Sequence, residues 1–243
     1  NNVKVIGMWR YNADGLDFVN SEHVTVTNCF IRSFDDSIVL KGLNKRKNGE
    51  CLAHYDYMNV CHYRIEHCVV WCDWGGALEI GAETVADEYT DIVFRDIDII
   101  RNADGGMRIH CGDRAEIHDV LYEHIRVEYT AWDRDSVFQQ SDDTVYTESS
   151  SPHTPPFIRN WMYWGPWTPG APNPHSIHHI TYRDIQIIAD AGIPTPCALF
   201  HGTDADHGIS EILMENITYN GIKLNADTLP INQNLFAENI NVK

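Results

Sequence analysis

The sequence lacks any run of 18 apolar residues and any long segment with helical periodicity. The first absence argues against a membrane-spanning helix, which needs about 20 mostly apolar residues. Basic residues are also scarce, because 18 Lys and Arg stand against 35 Asp and Glu, and the net charge is −17. Neither nucleic acid nor an anionic membrane is expected as a partner of so acidic a chain. The same charge makes a strongly anionic polymer a less natural substrate.

Metal-binding spacings are absent as well. No Cys-x-x-Cys pair and no His-Glu-x-x-His segment occurs, so the sequence predicts neither a bound metal nor a cofactor. The seven cysteines are an odd number in a chain too large to depend on disulfides. We expect them mainly to fill space in the core, and a disulfide is the alternative.

The length of 243 residues and a hydrophobic content of 43% are typical of one domain with a real core, spanning residues 1–243. Residues 1–9 already read as a strand within a repeat, and nothing before them would cap an open end. We therefore expect the sequence to be the C-terminal part of a longer solenoid. On that expectation, the lack of a signal peptide carries no information about location.

A repeated strand pattern runs through the chain. Apolar residues alternate with others, and a polar residue stands at the same point of each repeat. These polar residues are Asn28, His67, Asp96, His124, Asp184, Asn216 and Asn239. Such a recurrence predicts an all-β solenoid of stacked coils, in which the polar column bends each coil and hydrogen-bonds along the stack.

A second family of short strands lies between these repeats. Its members are Ser37–Leu40, Ala77–Ile80, Gly106–Ile109 and Ala198–His201. Since they would stack into one sheet, residues at the same edge of successive strands should line one groove. The longer intervals 43–59 and 130–175 are expected to be inserted loops. The second loop is rich in Trp, which would either pin it to the solenoid or stack on sugar rings.

The stretch Asn12–Gly42 contains two copies of an acidic turn followed by an apolar strand. The two turns, at Asp14 and Asp36, are 22 residues apart, which is about one coil of a parallel β-solenoid. Stacking would place these two residues side by side at the strand spacing of ~4.8 Å, with Asp35 next to them. Three clustered carboxylates repel one another unless they hold a proton, a water or a metal, and Ca²⁺ is the alternative ion here.

This stretch resembles the signature of glycoside hydrolase family 28, the polygalacturonases, and of related β-helix hydrolases of family 49. The Asn-Thr-Asp-Gly and Asp-Asp elements of family 28 stand here as Asn12-Ala13-Asp14-Gly15 and Phe34-Asp35-Asp36. The resemblance implies a right-handed parallel β-helix and an inverting glycosidase that acts on a polysaccharide or oligosaccharide. It implies that Asp35 is the general acid, and that Asp14 and Asp36 activate the water. We expect a monomer that is secreted or periplasmic.

Two motif positions depart from the family. Its Gly-His-Gly stands here as Gly75-Gly76-Ala77, and its Arg-Ile-Lys stands as Arg108-Ile109-His110. In the family the Arg and Lys hold the galacturonate carboxylate, and His110 is a weaker cation at neutral pH. Both changes favour a glycosidase that is not a standard polygalacturonase.

The candidate substrate-binding residues come from three sources: the family motif, the edge of the second strand family and the Trp-rich loop. They are Arg108, His110, Glu79, Asp17, Lys41, His201 and Trp164. Two other functions stay open. A non-catalytic carbohydrate-binding β-helix would not need three Asp residues, and a polysaccharide lyase would need Ca²⁺ or a basic residue to remove a proton next to a uronate carboxylate.

Overall fold

The computed structural model of the chain describes residues 1–8, 12–43, 59–133, 154–163 and 175–243, and the backbone of 46–47 and 50–51. These residues form β-strands, and no helix occurs among them. In the same residues there is accordingly no helix that could cross a membrane.

The strands are β1 (Lys4–Val5), β2 (Leu16–Val19), β3 (Glu22–Thr27), β4 (Phe30–Ser33), β5 (Ile38–Gly42), β6 (Arg46–Lys47), β7 (Glu50–Cys51), β8 (Val60–Cys72), β9 (Leu78–Thr84), β10 (Glu88–Arg101), β11 (Met107–Cys111), β12 (Glu116–Tyr129), β13 (Ile158–Met162), β14 (Ile177–Arg183), β15 (Gln186–Ala189), β16 (Ala198–His201), β17 (Ile209–Glu215), β18 (Thr218–Tyr219), β19 (Ile222–Lys223), β20 (Ile231–Gln233) and β21 (Ile240–Val242).

The chain alternates between two sheets of parallel strands. The small sheet has seven strands in the order β2-β5-β9-β11-β13-β16-β20. The large sheet has twelve, and its main path is β1-β4-β8-β10-β12-β14-β17-β21. The chain returns to the small sheet after each passage of one to three strands through the large sheet, and successive strands of the small sheet pair with one another. In the described chain only the β6–β7 and β18–β19 pairs are antiparallel.

The polar column predicted from the sequence lies at bends within and between the strands of the large sheet. All seven of its residues have left-handed backbone conformations, with φ between 53° and 57°. Asn, Asp and His adopt this conformation more readily than most other residues, because a short polar side chain can hydrogen-bond locally. The large sheet contains a second left-handed column, and its members are His23, His62, Asp91, Asp119, His179 and Glu211. The polar residues thus mark where each repeat bends.

The core lies between the two sheets and consists of inward-facing residues stacked in register. Ile97 of β10 pairs with Cys68 of β8 and with Ile125 of β12, and all three side chains are buried. Aromatic rings stack in the same way. Phe94 lies 4.7 Å from Tyr122, Tyr122 lies 5.0 Å from Tyr182, and the ring planes are within 9° of parallel. Each such ring buries about 150–250 Å².

The structure differs from the expected loop at residues 130–175. Residues Ile158–Met162 form β13, which pairs in parallel with β11 and β16 in the small sheet. The expectation failed because five alternating residues between Pro-rich and Trp-rich segments are too short to stand out from a loop. The other expected loop, residues 43–59, contains the antiparallel pair β6–β7.

Candidate active site

The three aspartates come together at the start of two adjacent strands of the small sheet. Leu16 of β2 pairs with Ile38 of β5, so Asp14 and Asp36, each two residues earlier, occupy equivalent positions. The backbone N–H of Gly15 donates to the carbonyl of Asp36 at 2.8 Å, which keeps the two chains in register ahead of the strands. The offset of 22 residues is therefore one repeat of this fold.

Asp35 is buried, with 8% of its surface exposed. Its carboxylate accepts hydrogen bonds from the backbone N–H groups of Asn12 and Asp36, both at 3.0 Å. Burial raises the pKa of Asp35 to about 6, and the negative charges of Asp36 and Asp14 add to that rise. The two backbone donors oppose it. Asp35 can thus carry a proton at mildly acidic pH, as a general acid must.

Asp36 is held by a backbone group and a cation. Its Oδ1 accepts from the backbone N–H of Gly76 at 2.7 Å and from the Arg108 guanidinium at 2.9 Å. Arg108 also donates through Nε to Glu79 and through a terminal nitrogen to Asp104 at 2.7 Å. One guanidinium therefore bonds to three carboxylates, and it is 7% exposed. Its hydrogen-bonding capacity is largely used inside the protein.

Asp14 is bonded to a different cation. Lys41 Nζ lies 2.8 Å from Asp14 Oδ2 and 3.1 Å from Asp17 Oδ2. Burial raises the pKa of Asp14, and the hydrogen bond and charge of Lys41 oppose the rise. Burial would lower the pKa of Lys41, but the carboxylates of Asp14, Glu83 and Asp17 raise it. Asp17 is the most exposed of the three bonded groups and lies on the outer face of β2.

Glu79 and His110 lie beneath the surface of the same face. Glu79 is completely buried, and this burial raises its pKa, whereas the positive charge of Arg108 opposes the rise. The Nδ1 atom of His110 lies 3.6 Å from Glu79 Oε1. Burial and the positive charges of Arg108 and Arg159 hold the pKa of His110 well below its usual range. His110 is therefore a neutral residue here at physiological pH.

Aromatic side chains flank His110. The rings of Trp161 and Tyr163 approach it edge-on, with centroids at 5.5 Å and 6.0 Å. Trp161 of β13 pairs in register with His110 on one side and with His201 on the other, so the three form one row. His201 is half-buried and contacts Asn232 Oδ1 at 3.1 Å through Nε2. Trp164 lies outside the described residues.

Two glycines leave the space that this arrangement needs. A Cβ atom on Gly75 would lie 2.5 Å from Asp36 Oδ1 and 2.7 Å from Asp35 Oδ1. A Cβ atom on Gly76 would lie 2.7 Å from both Arg108 Nε and Glu79 Oε2. A larger side chain at position 76 is thus incompatible with the Arg108–Glu79 pair as it stands. Gly76 stands where the expected motif has histidine, and the Arg108–Glu79 pair lies where a side chain at that position would begin.

The comparisons with known proteins agree with the motif. The family model described as glycosyl hydrolases family 28 matches residues 7–141, more than half of the chain. The chain belongs to glycosyl hydrolase family 28. No curated protein matches this family 28 chain, and no solved structure does. The matched range contains the three aspartates together with Glu79 and Arg108, so the family assignment and the buried cluster concern the same part of the molecule.

The structure of this family 28 member adds site residues that sequence reasoning missed. Asp104 accepts from Arg108 and from Arg159, and Arg159 lies with its guanidinium carbon 5.0 Å from the Trp161 ring centroid. Asp104 immediately precedes Gly105 and Gly106 in the sequence, and this pattern predicts only a turn at that position. Asn12 belongs to the motif, but its role as a backbone donor to Asp35 has no sequence signal.

Metal binding by the acidic cluster was the alternative explanation for its stability. Among the described residues of this region, no three ligand atoms converge closely enough to share one ion. The carboxylates instead receive hydrogen bonds from Lys41, Arg108 and backbone N–H groups. The cations Lys41 and Arg108 therefore offset part of the repulsion between the aspartates.

Proposed function

We propose that this family 28 member hydrolyses glycosidic bonds in a polysaccharide or oligosaccharide by a single displacement that inverts the anomeric carbon. Asp35 is the general acid, and Asp14 and Asp36 hold and activate the attacking water. The observation that carries the proposal is the difference between the three carboxylates. Asp14 and Asp36 are each bonded to a cation, whereas the donors to Asp35 in the described structure are backbone N–H groups.

This difference is what the chemistry requires. Hydrolysis needs one carboxyl group that is protonated and one that is anionic, and their environments must separate them. A pKa of about 6 suits Asp35 for protonating the leaving oxygen. Lys41 and Arg108 carry the charge that favours anionic neighbours. Asp14 and Asp36 occupy equivalent positions on adjacent strands, so one water can lie between them.

The substrate is proposed to be neutral in charge, which excludes polygalacturonan as the preferred polymer. Arg108 and Lys41 are the two cations nearest the aspartates, and both are bonded to at least two protein carboxylates. His110 stands where the family carries a Lys and is held neutral. A uronate carboxylate would therefore have to displace an internal ion pair in order to bind.

The proposed architecture of residues 1–243 is one right-handed parallel β-helix. The alternation of the chain between two parallel sheets supports it. The enzyme is proposed to act as a monomer outside the cytoplasm, secreted or periplasmic, because a polymeric substrate does not cross a membrane.

The decisive experiment compares the wild type with Asp35→Asn in a reducing-end screen over neutral and acidic glycans. We expect the variant to lose about 10²–10⁴ in rate, since it keeps the shape of the acid and removes its proton. Asp98→Asn on the large sheet is the matched control, because Asp98 is an exposed partner of Arg126. Activity of Asp35→Asn within tenfold of the wild type would refute the assignment of the acid.

The product distinguishes the remaining functions. Proton NMR in the first minutes should show the inverted anomer. A retained anomer would mean that one carboxylate is a nucleophile. Unsaturated products would identify a lyase, and binding of glycans without any product would identify a non-catalytic carbohydrate-binding protein.

A further inference from the structure

Two consecutive histidines lie on the outer face of the large sheet, on the sheet that does not carry the aspartates. His178 and His179 belong to β14, and their Nδ1 atoms are only 2.6 Å apart. His178 is held flat against His118 of β12, whose ring lies 5.1 Å away and within 3° of parallel. His179 has the left-handed backbone conformation of the second polar column, with φ of 52°. That conformation turns its side chain toward its neighbour.

The outer nitrogens of both rings face carboxylates from neighbouring strands. His178 Nε2 lies 2.8 Å from Glu116 Oε1 of β12, and His179 Nε2 lies 2.8 Å from Glu211 Oε2 of β17. The side chains of both glutamates are about half exposed, and a glutamate carboxyl in water is ionised at neutral pH. An ionised carboxylate only accepts hydrogen bonds. Each Nε2 must therefore carry the hydrogen and donate it outward.

This assignment leaves the two Nδ1 atoms facing each other. A neutral imidazole has one N–H, and here it is used at Nε2, so both Nδ1 atoms present lone pairs. Two lone pairs at 2.6 Å repel each other unless a cation lies between them. A histidine that binds a metal through one ring nitrogen characteristically donates the N–H of its other ring nitrogen to a carboxylate, and this hydrogen bond orients the ring. His178 and His179 each have such a carboxylate partner at Nε2.

We propose that His178 and His179 bind a divalent transition-metal ion of the zinc class through their Nδ1 atoms. Glu116 and Glu211 hold the two rings from outside, and water completes the coordination. Imidazole ligands favour zinc, copper or nickel over calcium and magnesium, which prefer oxygen. Zinc bonds of 2.0–2.1 Å put two tetrahedral nitrogens roughly 3.3 Å apart, so the rings must separate by less than about 1 Å. One ring nitrogen of each histidine and a carboxylate oxygen of Glu211 lie within 4.8 Å of one another.

The bound metal has a structural role. A continuous line of contacts runs from Glu116 on β12 through the histidines of β14 to Glu211 on β17. The ion itself binds only β14, and the two carboxylates connect its ligands to the neighbouring strands β12 and β17. Sequence reasoning predicted no metal, because two adjacent histidines match no known ligand spacing.

The test is zinc binding to the full chain, freed of metal by chelation, measured by titration calorimetry with zinc chloride. The variant is His178→Gln with His179→Asn, since Asn tolerates the left-handed backbone. His124→Asn is the matched control. His124 has a φ of 53° and a side chain that is 53% exposed, and His179 has a φ of 52° and a side chain that is 55% exposed. Both ring nitrogens of His124 face aspartates, so neither is free to bind a metal with a neighbouring histidine. We expect the wild type and the control to bind one more zinc ion than the double variant. Equal stoichiometry and affinity in all three would overturn the proposal.

Thermal unfolding gives a second measurement. Zinc at 100 times its dissociation constant should raise the Tm of the wild type and of the control by roughly 5–10 °C, and that of the double variant by less. Nitrogen-15 spectra of the histidine rings then identify the ligand atoms. Zinc-dependent shifts at both Nδ1 atoms support the proposal. Shifts that follow pH and do not respond to zinc would mean that a shared proton occupies the position, and the metal site would be refuted.

Discussion

Asp14 and Asp36 are each bonded to a cation, whereas Asp35 is bonded to backbone N–H groups. The protonation of Asp35 should therefore be visible in the pH dependence of the hydrolysis rate. Its pKa of about 6 is above the value of 3.8 for a free Asp carboxyl, because burial and two nearby carboxylates oppose its ionisation. The protonated form is the active one for a general acid. It is present below pH 6 and is lost as the pH rises through the folded pKa.

We therefore expect kcat/KM to fall about tenfold per pH unit above pH 6. The measurement is a pH–rate profile from pH 4 to pH 9 on the best substrate of the screen. Asp98→Asn should give the same profile as the wild type, because it lies on the other sheet. A rate that stays flat to pH 8 would contradict the assignment of Asp35 as acid.

Arg108 is the second residue whose environment makes a sharp prediction. It is the hydrogen-bond donor to buried Glu79, and removal of the cation leaves that group without its partner. Arg108→Gln should lower the free energy of unfolding by about 3–5 kcal/mol, because removing one partner of a buried ion pair leaves the charge of the other, Glu79, without compensation. Urea denaturation at pH 7 measures it.

The control for Arg108 is Arg126→Gln on the large sheet. Arg126 bonds to Asp98 and Glu128 at 3.0 Å and 3.3 Å, but its side chain is 40% exposed. Solvent screens such a pair, so the expected loss is at most about 1 kcal/mol. Equal losses in the two variants would show that the Arg108 cluster is not a buried ionic network.

At the scale of the strand, the left-handed backbone conformation of the two columns determines which substitutions their positions tolerate. Asn216 has a φ of 55° and donates from its side chain to Asp184 at 2.6 Å. Asn216→Gly keeps the backbone conformation, whereas Asn216→Val forces a β-branched residue into it. We expect the Val variant to be less stable than the Gly variant by about 1–2 kcal/mol.

Thr218 of β18 is the control for this comparison, because it is an ordinary strand position two residues later. There the order should reverse, with Thr218→Val more stable than Thr218→Gly. Thermal unfolding of the four variants measures both differences. The same order at both positions would mean that residue size, and not the backbone conformation, decides.

These elements also show what could be predicted from sequence. The polar column from Asn28 to Asn239 was identifiable because each member recurs beside the same alternating strand. The pairing of Asp14 with Asp36 was predictable for the same reason. Strand β13 was missed, since its five residues carry too little alternation. Asp104 and Arg159 were missed because their contacts join residues 55 positions apart, and only the register of β11 with β13 brings them together.

At the scale of the molecule, the charge distribution bears on the proposed choice of substrate. The net charge is −17, and the cations of the site are bonded to internal carboxylates. The net negative charge repels a polyanion at long range. Near the aspartates, the described cations Lys41 and Arg108 are both bonded to protein carboxylates. We expect hydrolysis of neutral glycans to be faster than hydrolysis of polygalacturonate. Initial rates at equal sugar concentration in 20 mM and 200 mM salt test this, and faster release from polygalacturonate at both would refute it.

The ring stack of Phe94, Tyr122 and Tyr182 has a consequence for how this protein can be observed. The three rings belong to β10, β12 and β14, and their transitions couple at separations of 4.7 Å and 5.0 Å. A near-ultraviolet circular dichroism band reports fixed aromatic packing and disappears when that packing loosens. The stack therefore contributes to this signal together with the other aromatic residues of the chain. The signal requires no added chromophore, and it reports on packing of the sheets and not on the chemistry at the aspartates.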